Sequence, residues 1–258
     1  MIANYHTHTW RCKHASGTER EYVESAIRGG LKILGFSDHT PMPYDGDYVS
    51  PVKMTMDQLE DYVNTILQLK EEYKNDIEIH VGLEVEYYPA YFNRLVDFAR
   101  QFPIEYFILG QHCLGNEIGD KFMFEPIEDP KDLHRYCDQV VEGLKTGRFT
   151  YLCHPDVIPF VGDRGIYRDA MRGLCREVKK LDIPMEINFL GIWDHRNYPD
   201  PDFWKIAGEE GNTVIFGADA HRPDKVWVPE ALEKAQRLAS DNGLRVLETI
   251  EFTDPFRI

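Results

Sequence analysis

The sequence predicts an α/β fold built on a parallel sheet. Short apolar, β-branched runs alternate with longer amphipathic ones along the whole chain, and the polar residues of the short runs gather at their carboxyl ends. No stretch with the composition of a linker interrupts that alternation, so residues 1–258 are read as one domain.

The elements follow in order. The first predicted strand is "IANYHTH" at 2–8, and Thr18 then opens a helix through a capping box with Glu21, ended by "GG" at 29–30. The second strand, "KILGFSD" at 32–38, leads into "TPMPYDGDYVSPVK" at 40–53. That stretch, rich in Pro, Gly and aromatics, is read as a lid. A helix follows with Leu59, Tyr62, Val63, Ile66 and Leu69 on one stripe. Further strands are expected at 77–86, 105–112, 149–154, 184–190 and 212–219. Asp129-Pro130 and Asp200-Pro201 each set a capping residue before a proline at the first helical position. An open doubly wound sheet and a barrel both fit this periodicity. No G-x-G-x-x-G follows the first strand, so a dinucleotide site has no support.

Composition limits the function classes. Hydrophobic residues make up 43% of the chain and aromatics 12%, which suits a packed core. The formal charge is −15, from 44 acidic and 29 basic residues, and argues against wrapping nucleic acid or lying on an anionic membrane. No apolar run reaches the roughly 18 residues of a membrane span, and no secretory leader is visible. Cys12, Cys113, Cys137, Cys153 and Cys175 are scattered without a CxxC pair, so reduced thiols in a cytoplasmic protein are expected.

The polar residues at the strand ends are of metal-ligand type. His6 and His8 end the first strand, Asp38 and His39 the second, and Glu84 lies late in the third. His112 ends the fourth, His154 the fifth, and Asp219 with His221 the seventh. In a parallel barrel such ends converge on one rim, so a shared metal site is expected there. Residues i and i+2 of a strand share a face, so His6 and His8 can chelate one ion, whereas His14 must reach in from the following loop. Imidazoles combined with carboxylates suit Zn²⁺, Mn²⁺ or Fe²⁺ better than Mg²⁺ or Ca²⁺.

The set "HTH", His14, "SDH", "GLE", "GQH", "CHPD" and "GADAH" resembles the polymerase and histidinol phosphatase (PHP) superfamily, in order and over nearly the whole chain. "FSDHTPMP" and "GIWDHRNYPD" are similar to its histidinol-phosphate phosphatase branch. The resemblance implies a distorted seven-stranded (β/α)7, TIM-like barrel holding three divalent metal ions. It implies a first metal on His6, His8, Glu84 and Asp219, and a second bridged by Glu84 and completed by His112 and His154. A third would take His14, His39 and His221.

The implied activity is hydrolysis of a small phosphomonoester, L-histidinol phosphate, in histidine biosynthesis. A metal-bridged hydroxide would attack phosphorus, with Glu84 and Asp219 holding the metals. Arg196, in the loop after the sixth strand, is the expected phosphate clamp, with Arg164 and then Arg11 as weaker candidates. His195 and Asp38 are candidate proton donors to the leaving group, Asp38 also being read as a partner behind the metal ligands. Tyr44, Asp45, Asp47 and Tyr48 of the lid would face the substrate's cationic groups. Glu86 competes with Glu84 as the bridging carboxylate. His80 is read as structural, at the opposite end of the barrel, and His134 as an ordinary helical residue. Cys113 and Cys153, each adjacent to a histidine on a strand, are read as core residues aimed at the opposite face, and Cys12 is given no chemical role. Rival readings are a PHP phosphoesterase acting on nucleotides or short oligonucleotides, an amidohydrolase-like deaminase, and a non-catalytic metal-binding module.

Overall fold

In the computed structural model, which describes residues 1–123 and 125–257, eight parallel strands form one sheet whose spatial order follows the sequence. They are β1 (Ala3–Asn4), β2 (Ile33–His39), β3 (Glu78–Val85), β4 (Tyr106–Leu109), β5 (Tyr151–Leu152), β6 (Met185–Asn188), β7 (Thr213–Gly217) and β8 (Arg245–Val246). Between them run α1 (Glu19–Arg28), α2 (Leu59–Glu72), α3 (Phe92–Ala99), α4 (Pro130–Lys145), α5 (Arg164–Lys180), α6 (Phe189–Trp193), α7 (Pro201–Glu209) and α8 (Pro229–Asp241). Among the described residues no helix is long and apolar enough to cross a membrane.

The expected caps are formed. Thr18 and Glu21 make both bonds of their capping box, and the Asp129 and Asp200 carboxylates accept first-turn N–H groups of α4 and α7. The α2 stripe is buried as its spacing predicts. All seven expected strands are present, and β8 adds an eighth that the sequence pattern did not reveal. The sheet curls until its ends meet at the carboxyl rim. There Thr7 bridges Ala220, with the His8 N–H donating to the Ala220 carbonyl at 3.0 Å. At the other end β8 pairs with the first residues of β7, so the barrel is distorted rather than evenly closed.

Two apolar layers result from strand alternation. The larger lies between sheet and helices and includes Leu34, Phe36, Tyr62, Ile66 and Leu83. The smaller fills the barrel itself with Tyr5, Tyr106, Ile108, Tyr151, Cys153 and Ile215. Tyr106 lies across this interior, its hydroxyl donating to the Tyr5 carbonyl at 2.7 Å. Gly82 leaves the space its ring needs, since a Cβ there would stand 2.3 Å from the ring.

Phe252 of the tail closes the amino-terminal mouth, stacked on Tyr106 at 4.5 Å and edge-on to His80 at 4.7 Å. His80 sits at that end, its Nδ1 2.9 Å from Glu105, which also accepts from Lys70 Nζ at 2.9 Å and the Val81 N–H at 2.8 Å. Burial raises the Glu105 carboxyl, but these three donors outweigh it and hold the pKa at about 2.

Two outcomes follow from this packing. Gly82→Ala should cost about 1–3 kcal/mol, read as a lowered urea midpoint, because the tyrosine ring has nowhere to move. The folded pKa of Glu105 lies below its ordinary 4.5, so its contribution is present above that pH and is lost as pH falls toward 2. Glu105→Gln should therefore lower stability at neutral pH and flatten the acid limb of the urea-midpoint profile; an unchanged limb would refute the assignment.

Candidate metal centre

The carboxyl rim of the barrel gathers every histidine and carboxylate expected there. His6 and His8 follow β1, His39 ends β2, Glu84 lies in β3, and His112, His154, Asp219 and His221 come from the segments just past β4, β5 and β7. His14 arrives from the loop after a 3-10 turn at Trp10–Cys12, where the Thr9 hydroxyl accepts the Arg11 N–H. In the innermost group His6 Nε2 stands 3.1 Å from His8 Nε2, and Asp219 Oδ1 lies 3.0 Å from the latter. Glu84 Oε2 is 3.7 and 3.6 Å from the same two nitrogens. The other oxygen of Glu84 faces His154 Nε2 at 2.8 Å and His112 Nε2 at 3.5 Å. Outermost, His14 Nε2 faces His221 Nε2 at 3.0 Å, with the ring of His39 beside them.

The hydrogen bonds behind these rings decide what they can bind. His6 Nδ1 lies 2.8 Å from Glu186 and His8 Nδ1 3.2 Å from Asp38. His14 Nδ1 lies 2.7 Å from the Cys12 carbonyl and His221 Nδ1 3.1 Å from the Asp219 carbonyl. Carbonyls and ionised carboxylates only accept, so each Nδ1 carries the proton and each neutral ring turns an Nε2 lone pair inward. Two such lone pairs facing each other at 3.0 or 3.1 Å repel unless a cation lies between them. Two nitrogens on one tetrahedral zinc stand about 3.3 Å apart, close to the observed spacing. Glu84 Oε2 is buried and 2.8 Å from His39 Nδ1, yet accepts no hydrogen bond. The donor set therefore fits divalent metal ions. Among the described residues five groups have their ligand atoms within 4.8 Å of one another: His6, His8 and Asp219; His6, Glu84, Cys153 and His154; His14, His39 and His221; His8, His39 and Glu84; and His8, Cys12 and His221.

Electrostatics agree with that fit. Burial raises the carboxyls of Glu84 and Asp219, but the imidazoles around them outweigh it and hold both well below the usual range. Burial would depress His6, yet Glu186, Asp219 and Glu84 together lift it to about 10, so without a metal the ring takes a second proton at neutral pH, which a divalent ion would displace. His39 goes the other way, pushed down to about 3 by burial despite Glu84.

Backbone geometry at the strand ends explains where alternation fails. His154 has φ +29° and Asp219 φ +48°, a region that costs a non-glycine residue about 1–3 kcal/mol. The turn at His154 brings two successive side chains inward. Cys153 faces the barrel interior with Tyr151, by alternation, rather than the opposite face, and the positive φ turns His154 to the same side. The Cys153 Sγ lies 3.5 Å from Glu84 and donates to the Leu109 carbonyl at 2.9 Å. Cys113 does lie in the outer core.

Several other expectations are corrected. Asp38 is fully buried behind His8, accepting from the Thr9 hydroxyl and from the His39 N–H at 2.9 Å, so it cannot serve a leaving group in the cavity. Glu86 does not compete with Glu84, because Lys53 and the Tyr88 hydroxyl (2.5 Å) engage one of its oxygens and the His112 N–H the other at 2.7 Å. Arg164 is bound by Asp200 and Asp202 at 2.8 Å and stacks on Tyr167, fastening α5 to α7. Arg11 is held by Glu19 and Asp61. His195 is exposed and outside the cavity lining. His134 is exposed on α4.

Above the rim lies a cavity of about 500 Å³ with His14, His39, His112, Asp219 and His221 in its lining. Arg196 lies on its wall, with Nε 2.9 Å from Asp194 and Nη1 3.3 Å from the Tyr198 hydroxyl. Its loop is held by Asp156, which accepts the Asp200 N–H at 2.6 Å and the Trp204 indole at 3.0 Å. Trp193, Tyr198 and Asp194 face the cavity from the same loop region, and sequence reasoning passed over them. From the supposed lid only Val52 and Lys53 reach the cavity. Tyr44 packs on Tyr48 and Tyr91, and Asp45 pairs with Arg94.

Comparison with known proteins gives a consistent relationship. The family model for the PHP domain matches residues 4–189. A relative from Deinococcus radiodurans, described as a probable histidinol-phosphatase, is 31% identical over 87% of this chain and 88% of its own. The histidinol-phosphatase of Lactococcus lactis is 24% identical over 95% of this chain and 93% of its own. Among solved structures, the histidinol phosphate phosphatase of Lactococcus lactis, in complex with zinc, L-histidinol and phosphate, superposes with a TM-score of 0.76. It is 21% identical and covers 98% of both chains, a likeness of fold.

The facing imidazoles predict that protein purified without a tag carries more than one transition-metal ion per chain by elemental analysis. Stripping with a chelator should lower Tm and zinc should restore it. A metal-free preparation as stable as the original would sink the site.

Proposed function

The chain belongs to the PHP domain family, and from that premise we propose that it is a metal-dependent phosphomonoesterase converting L-histidinol phosphate and water to L-histidinol and phosphate. The observation that carries this reading is the pairing of imidazole nitrogens at and beneath the floor of a cavity that has a guanidinium on its wall. The full-length similarity to relatives described as histidinol-phosphatases supports the substrate. So does the zinc, histidinol and phosphate bound by the structural neighbour.

Three divalent ions are proposed, zinc being favoured over manganese and iron by the imidazole-rich set. His6, His8, Glu84 and Asp219 would hold one, with Glu84 shared by a second on His112 and His154. His14, His39 and His221 would hold the third. Such ions, when bound, stabilise negative charge on phosphoryl oxygens and acidify water.

The chain's own side chains do the rest. Asp38 and the Cys12 and Asp219 carbonyls hold a proton on Nδ1, so Nε2 is the nitrogen that each of these rings offers to a ligand. Arg196, its side chain 38% exposed and steadied by Asp194, can present two N–H groups to phosphate oxygens. Trp193, Tyr198 and the Asp194 carboxylate match the aromatic and cationic groups of the histidinol moiety. A cytoplasmic location is proposed from the five buried, unpaired cysteines.

A phosphate-release screen tests the reading: turnover of histidinol phosphate should exceed that of nucleoside monophosphates and sugar phosphates. His8→Ala and Glu84→Ala should each reduce kcat at least about 10³-fold, since His8 is a ligand of the first proposed ion and Glu84 is shared by two. Arg196→Ala should raise KM about tenfold or more with a smaller change in kcat; an unaltered KM would remove Arg196 from the phosphate site.

A further inference from the structure

Glu186, on β6, was not anticipated from the sequence and touches no cavity, yet its carboxylate is fully buried beneath the innermost donor group. Oε1 accepts from His6 Nδ1 at 2.8 Å. Oε2 accepts from the backbone N–H of His154 at 3.2 Å and from Asn188 Nδ2 at 2.9 Å. Asn188 Nδ2 also donates to Asp219 Oδ2 at 3.1 Å. The amide is oriented by its own oxygen, which accepts the Gly191 N–H at 3.2 Å as the cap of α6. Among the described residues the only ion-pair partner of Glu186 is His6.

We infer that Glu186 is a positioning residue that fixes, through one carboxylate, donors belonging to both buried metal sites. It orients His6 directly, Asp219 through Asn188, and His154 through its backbone at the strained turn with φ +29°. This rests on the metal reading given above. A carboxylate is required rather than an amide, because donors arrive at both oxygens. A glutamine would aim its NH₂ at an N–H whichever way it turned. The third group is independent of Glu186, since His14 and His221 are oriented by backbone carbonyls.

Gly217 supplies the space. It lies in β7, outside the positive-φ region, so its backbone would accept alanine. A Cβ there, however, would stand 1.6 Å from Glu186 Oε1 and 2.5 Å from its Cδ. Gly217→Ala should therefore displace the carboxylate without altering any donor, and should be harmless once residue 186 is small.

The test is zinc affinity, by competition with a chromophoric chelator, for wild type, Glu186→Gln, Glu186→Ala, Gly217→Ala and the Glu186→Ala/Gly217→Ala double variant. Visible absorption of the cobalt-loaded proteins reports coordination, and circular dichroism of the metal-free proteins reports folding. Glu186→Gln and Gly217→Ala should each weaken the buried ions about 10–100-fold and alter the cobalt bands, while one weaker ion is retained. In the Glu186→Ala background Gly217→Ala should add nothing. Wild-type affinity in Glu186→Gln, or an equal loss from Gly217→Ala in both backgrounds, overturns the inference. A wild type that binds no zinc overturns the metal reading itself and the inference with it.

Discussion

Imidazole lone pairs that face each other at 3.0 and 3.1 Å are the constraint on which the rest of this structure depends. Such an arrangement needs positive charge between the nitrogens, a proton or a metal ion, and the surrounding chain is built to hold it. Each of four rings is fastened by its Nδ1 to an acceptor that cannot donate, two to carboxylates and two to backbone carbonyls. Without those acceptors a ring could turn or shift its proton and relieve the crowding. With them, a divalent cation is the species that satisfies the converging nitrogens and oxygens together.

That arrangement also accounts for irregularities in the barrel. The ladders of β1 and β5 are two residues long because the chain leaves the sheet as soon as donors must be aimed inward. His154 and Asp219 take positive φ at the exits of β5 and β7. The strain is tolerated because the neighbouring segments are bound elsewhere, through the Thr7–Ala220 bridge and the Asp156 contacts. At the opposite mouth the barrel is sealed by aromatic packing of Phe252 and by the His80–Glu105 pair. Stability is thus concentrated at one end and unsatisfied donor chemistry at the other.

The division between the two buried donor groups and the outer one has a functional consequence. The inner groups share His6 and lie in a fully buried setting with the carboxylates of Glu84 and Asp219. The outer group contains the exposed His14 and borders the cavity. An ion held there meets substrate and solvent more directly than one held beneath it. Arg196 and the aromatic side chains of its loop extend the same cavity away from the floor, which fits a substrate with an anionic end and a cationic, aromatic one.

The sequence by itself determined the alternation of strands and helices, the convergence of metal-type donors on one rim and the membership of His6, His8, His14, His39, Glu84, His112, His154, Asp219 and His221 in that cluster. Periodicity of 2 and 3.6 is local, and strand ends in a parallel barrel have a common destination, so both are legible without coordinates. Tertiary structure decided what stands behind and beside those donors. Glu186 escaped notice because its partner His6 is 180 residues away. Asp38 was placed behind His8, one of the two roles read for it, and Glu86 was removed from competition with Glu84 by Lys53 and Tyr88. Arg164 was engaged by Asp200 and Asp202, and His154 was turned inward beside Cys153 by its own positive φ. Such outcomes depend on long-range contacts and on backbone turns at strand ends, and neither leaves a period in the sequence.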